Sequence, residues 1–343
     1  MNAPFPHSSS RRDFLGLLGR GATVGALAGI ASRVTAAVRR YQEVETEPRA
    51  LVLVQLDGGN DGLNTIVPLR DEDYRRLRPT LALAERNLIY LSDNTALNCA
   101  AGAFERLFKD GKLAVVQNAG CAKQSPSHYR STEIWQTASE VGDVIYAGWG
   151  GQCISHLESQ GRVVSSSYAG AVSPRVFARE NRPLAPAYCA GHDFTEALGF
   201  LGERAATTAG PEIHFVSAPG FDTHFRQGDV HAERLHAVSK SLAAFQQRLD
   251  QRGVAPRVLT VAFSEFGRSV AENSQGGTDH GGPAPVFLLG PQLAGGLHNE
   301  GTGLCDFRRI VRSVATDWLG VPWSAVFARD PGEAGFLRLP TAT

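Results

Sequence analysis

Several absences narrow what this 343-residue chain does. The acidic and basic residues number 34 each, so the chain lacks the basic excess that nucleic-acid binding proteins carry. No glycine fingerprint of a dinucleotide site follows any strand-like run, which sets an oxidoreductase aside. The five cysteines, Cys99, Cys121, Cys153, Cys189 and Cys305, never adopt CxxC spacing, which argues against a cysteine zinc site. Their odd count permits at most two bridges, and small buried thiols are the simpler reading. No apolar run reaches the ~20 residues of a secure membrane span, because the stretch from Leu17 to Ile30 is short and broken by glycines. No stable membrane span is therefore expected, and neither an internal repeat nor a long low-complexity linker is apparent.

The N-terminus carries an address. Ser10, Arg11, Arg12, Asp13, Phe14 and Leu15 precede that apolar stretch, and small residues follow it around Ala36 and Ala37. This order reads as a twin-arginine export signal over residues 1–37, then a tether over 38–47 and one domain over 48–343. The Tat translocase is thus an expected partner during export, and the mature product is expected in the periplasm or outside the cell. That route carries folded proteins, which suits one that acquires a metal beforehand.

Apolar, β-branched runs at 50–56, 113–118, 213–217, 258–263 and 285–289 have the length of buried strands. Helical patterns at 101–109, 127–138, 230–252 and 307–319 alternate with them. The expected fold is α/β, a three-layer sandwich with a mostly parallel central sheet covered on both faces. Residues 142–186, rich in Gly, Ser and Pro, read as loops or small strands over the site.

Four acid- and histidine-bearing segments lie beside these strands: LVLVQLDGGND with Asp57 and Asp61, GFDTH with Asp222 and His224, SEFGR with Glu265 and Arg268, and GGTDHGG with Asp279 and His280. Open α/β sheets gather ligands at the strand ends. A carboxylate is a hard oxygen ligand and an imidazole suits zinc or manganese, so Asp57, Asp222, His224, Glu265 and His280 are candidate metal ligands. Asp279 could instead orient the His280 ring. Arg268 has the fork that clamps a phosphate or sulfate. Ser127, at a helix start, faces unpaired N–H groups and is the candidate nucleophile, although serine is also a preferred helix cap. Ser125 and Thr132 are alternatives. His231 and His236 read as packing or surface residues.

In this order the motifs resemble the alkaline phosphatase and sulfatase superfamily. LDGGND, SHY with IWQTA, DTH, SEFGR and TDHG are more closely similar to a twin-arginine-exported bacterial family of unknown function. The resemblance implies an alkaline-phosphatase-like fold in which Asp57 and Glu265 bind one ion with the nucleophile, while Asp222, His224 and His280 bind another. It implies hydrolysis of an anionic phosphate or sulfate ester, through a covalent intermediate, with one or two divalent ions (zinc, manganese or calcium). The chain departs from the superfamily where Glu265-Phe266 replaces an Asp-His pair, so one histidine is missing; His128 or His298 could replace it. A non-catalytic periplasmic protein binding a metal or an anion is the alternative.

Overall fold

Eight consecutive residues of the first strand, Ala50–Asp57 (β1), are almost wholly buried, because apolar side chains point to both faces of a covered sheet. Eight other strands join it: Leu113–Gly120 (β2), Ser165–Ala169 (β3), Ala187–Tyr188 (β4), Glu212–Pro219 (β5), Val258–Phe263 (β6), Ala284–Leu289 (β7), Gly296–His298 (β8) and Cys305–Asp306 (β9). Their order is β8-β2-β7-β6-β1-β5-β3-β4, with β9 beside β2. The computed structural model describes residues 49–179, 187–188, 193–205, 210–301 and 303–336. The export signal, the tether and Cys189 lie outside the described residues.

The sheet is mostly parallel. β1 pairs in parallel with β5 and β6, whereas β7 runs antiparallel to both β6 and β2. Alternate side chains feed two cores. Leu51, Leu53, Phe215 and Val261 pack with the helices His128–Thr137 (α2), Trp149–Ser159 (α3) and Phe307–Ser313 (α6) through Trp135, Leu157 and Ile310. Val52, Val54 and Val216 pack with Phe104–Lys109 (α1), Phe194–Arg204 (α4) and Gln227–Gln251 (α5) through Phe104, Leu201 and Phe245. The fold is thus the expected α/β sandwich, with helices on both sides of a mostly parallel sheet. Among the described residues no helix is long and apolar enough to cross a membrane.

Within 142–186, read from sequence as loops or small strands, the structure has a helix as well as strand β3. Gly148, Gly150 and Gly151 at the start of α3 conceal it, because glycine is a poor helix former. They are there for contact: a Cβ on Gly151 would lie 2.4 Å from the carbonyl oxygen of Ala178. Four described cysteines are free thiols, three of them buried, as the simpler reading expects.

Candidate metal centre

Register sets the site. Ala50 pairs with Glu212 and with Val258, so Asp57, the residues after β5 and those after β6 leave the sheet at one edge. The reversed direction of β7 matters equally: the loop preceding that strand, not one following it, brings His280 to the same edge. A short antiparallel ribbon then pairs Arg268 with His280. Gly58, at φ 118°, lets the loop after β5 come close, since a Cβ there would lie 2.3 Å from the amide nitrogen of Asp222.

Asp222 is the centre of the cluster. Its Oδ1 lies 3.0 Å from Nε2 of His224, 3.1 Å from Nε2 of His280 and 3.5 Å from Nε2 of His128. Nε2 of His224 and Nε2 of His280 are 2.7 Å apart. His280 Nδ1 donates to the Pro126 carbonyl at 2.7 Å, and His128 Nδ1 donates to Glu265 Oε1 at 2.8 Å. With the proton on Nδ1 in each of those bonds, a neutral ring would turn its Nε2 lone pair toward Asp222, the arrangement of metal-ligating imidazoles. His224 Nδ1 faces Asp279 Oδ1 at 3.5 Å. His128, Asp222 and His280 have ligand atoms within 4.8 Å of one another. Two imidazoles and one carboxylate in that trio have the donor chemistry of a divalent-ion site such as zinc's, and His224 Nε2 lies beside two of the three.

Other expected residues take different neighbours. Glu265 is buried, and besides His128 its Oε1 accepts the Gly58 N–H at 2.8 Å while Oε2 accepts from Ser264 Oγ at 3.2 Å. Asp57 accepts a hydrogen bond from Ser217. Burial, reinforced by the Glu265 charge, pushes the Asp57 carboxyl up to about 6, against the opposing pull of Ser217. For Asp222, burial works upward, but the Arg268 and His280 hydrogen bonds outweigh it and hold the carboxyl below its ordinary value. The Glu265 hydrogen bond raises the His128 ring above its ordinary value.

Arg268 has no open edge for an anion, contrary to the clamp expected from its sequence position. Its side chain is wholly buried, donating to the carbonyls of Gly59 (2.9 Å), Phe221 (3.0 Å), Thr278 (3.0 Å) and Gly58, and to Asp222 Oδ1 at 2.6 Å. Ser127 is exposed and caps α2, its Oγ accepting the Arg130 N–H at 3.5 Å; among the described residues no hydrogen bond joins that oxygen to the cluster. Ser125 Oγ accepts the Ser127 N–H, and Thr132 accepts from Gln55. His298 Nε2 donates to the Ala294 carbonyl on the far side of β2, so His128 is the extra imidazole at this edge. The sequence offers His128 and His298 alike for the missing imidazole, and only the fold places His128 beside Asp222. A cleft of about 530 Å³, walled in part by Arg268, Gly282 and Pro283, has Arg70, Asn94 and Glu300 among its polar lining.

Residues 176–302 match the model of a family described as "Protein of unknown function (DUF1501)". That span includes DTH, SEFGR and TDHG, and leaves LDGGND and SHY outside. No curated protein matches. Among solved structures, Ps i-CgsB in complex with k-i-k-neocarrahexaose is 10% identical, with 84% of this chain and 75% of that one covered and a TM-score of 0.50. The C-terminal periplasmic domain of EcEptC from Escherichia coli is 12% identical, at 82% and 84% coverage and a TM-score of 0.48. Murine ectonucleotide pyrophosphatase / phosphodiesterase 5 in complex with AMP is 11% identical, at 83% and 97% coverage and a TM-score of 0.46. Over residues 176–302 the chain thus carries the sequence signature of the family described as "Protein of unknown function (DUF1501)", on an alkaline-phosphatase-like fold.

Proposed function

We propose that the chain is an exported, metal-dependent hydrolase of phosphate or sulfate esters. One observation carries this reading: Nε2 atoms of three histidines surround Asp222 Oδ1 at 3.0 to 3.5 Å. Arg268 already neutralises Asp222 Oδ1 from the buried side at 2.6 Å, and the imidazoles crowd the same oxygen where a second cation could be shared. His128, Asp222, His224 and His280 would hold the ion. When bound, it would supply Lewis-acid stabilisation of an ester's anionic oxygens.

The remaining chemistry belongs to the chain. Glu265 and the Pro126 carbonyl orient two of the rings, and Arg268 positions the Asp222 carboxylate and the strand-end carbonyls. Asp57, whose carboxyl burial raises toward about 6 in the metal-free fold, would accept or return a proton near neutral pH. The Ser127 hydroxyl, beside His128 at the N-terminus of α2, remains the proposed nucleophile. The pair Arg11-Arg12 supports export by the Tat translocase to the periplasm.

Elemental analysis of purified protein, with hydrolysis of bis-p-nitrophenyl phosphate and p-nitrocatechol sulfate, tests this. His280→Ala and Asp222→Ala are expected to lose metal and hydrolysis together, and full activity in metal-free variants would refute the reading. The commitment of Arg268 to internal carbonyls favours one competitor, a non-catalytic periplasmic metal- or anion-binding protein. Stoichiometric metal without hydrolysis of either ester would select it.

A further inference from the structure

We propose that Gln227, backed by Asp61 and Arg78, is a positioning clamp that fixes the distance between the two loops bearing Asp222, His224 and His280. This rests on the metal-site reading above and assigns a role to the second carboxylate of LDGGND. Gln227 opens α5 and is completely buried. Its Oε1 accepts from Thr223 Oγ1 at 3.1 Å and from Thr278 Oγ1 at 2.5 Å. Thr223 stands between Asp222 and His224, and Thr278 stands two residues before His280. One carbonyl oxygen thus ties both ligand loops.

The other end of the amide is held as firmly. Gln227 Nε2 donates to Asp61 Oδ2, which also takes Arg78 Nη1 at 2.7 Å. Arg78 continues to the carbonyls of Val270 and Ser269, each at 2.7 Å, on the ribbon that follows Arg268. The main chain repeats the link, with Gln227 N donating to Gly276 O at 2.9 Å and Thr278 N to Thr223 O at 3.3 Å. Neither Asp61 nor Arg78 is exposed. A buried ion pair is weak as a source of stability, because desolvation offsets the attraction, but its fixed geometry makes it strong as a template. Here it orients the amide so that Oε1, and not Nε2, faces the two threonines.

Thr223→Val and Thr278→Val remove each hydroxyl at almost constant volume, and Thr223→Ser and Thr278→Ser restore it. Zinc affinity, measured by chelator competition, is expected to fall 10–100-fold in the valine variants, as for other groups that orient ligands, and to return in the serine variants. Wild-type affinity in both valine variants, or failure of serine to restore it, would overturn the clamp. A second readout does not need metal: hydrogen exchange of amides 222–225 and 278–281 in metal-free protein is expected to accelerate in the valine variants and recover in the serine ones. If the wild type binds no zinc, the metal-site reading fails and this exchange alone decides, unchanged rates overturning the clamp.

Discussion

His128 Nδ1 and Glu265 Oε1 lie 2.8 Å apart, and the same oxygen accepts the N–H of Gly58. The carboxylate therefore couples the ring on α2 to the glycine turn after β1. Glu265→Gln keeps an acceptor of the same shape but removes the charge that raises the ring. In metal-free protein the His128 titration, followed by NMR, is expected to move to lower pH. An unmoved titration would break the proposed coupling.

Asp57 and His231 oppose each other in acid. The Asp57 carboxyl is raised to about 6 in the fold, so the folded state binds the extra proton, and this group adds stability as pH falls from about 6 to about 4. Burial lowers the His231 ring to about 4, so the unfolded chain binds the proton first and stability is lost from about pH 6.5 down to about 4. Each amounts to roughly 3 kcal/mol. Metal-free Asp57→Asn is expected to be more stable than wild type at pH 7 and to lose that margin by pH 4, whereas His231→Gln does the reverse. Urea midpoints across that range check the signs.

Gly151 is required by contact. Gly151→Ala drives a methyl toward the Ala178 carbonyl, for an expected loss of about 1–3 kcal/mol. Chemical denaturation measures it; an unchanged midpoint would mean that the helix pulls away at little cost.

Arg268→Lys looks conservative and should not be. An ammonium cannot reach Gly58, Gly59, Phe221 and Thr278 carbonyls and Asp222 together, so buried acceptors are left unpaired, at an expected cost of at least about 3 kcal/mol. Metal content should fall with stability. A lysine variant matching wild type in both would show that the guanidinium fork is dispensable.

Much of this protein was determined by sequence alone, because the relevant signals are local. Continuous apolar runs bounded by glycines specify strands buried on two faces, and the ionisable residues just beyond them have to emerge at the sheet edge. Asp57, Asp222, His224, Glu265 and His280 accordingly meet at that edge. Helix α3 escaped because its glycines serve a contact with residues some 25 positions away. Partner choice was decided only by tertiary structure. Whether Glu265 meets His128, whether Arg268 is an open clamp or an internal brace, and whether His128 or His298 joins the cluster depend on the register of strands and on the reversed β7. Those relations bring together residues from ten to more than two hundred positions apart, where hydrogen-bond geometry is set within tenths of an ångström and no local pattern records it.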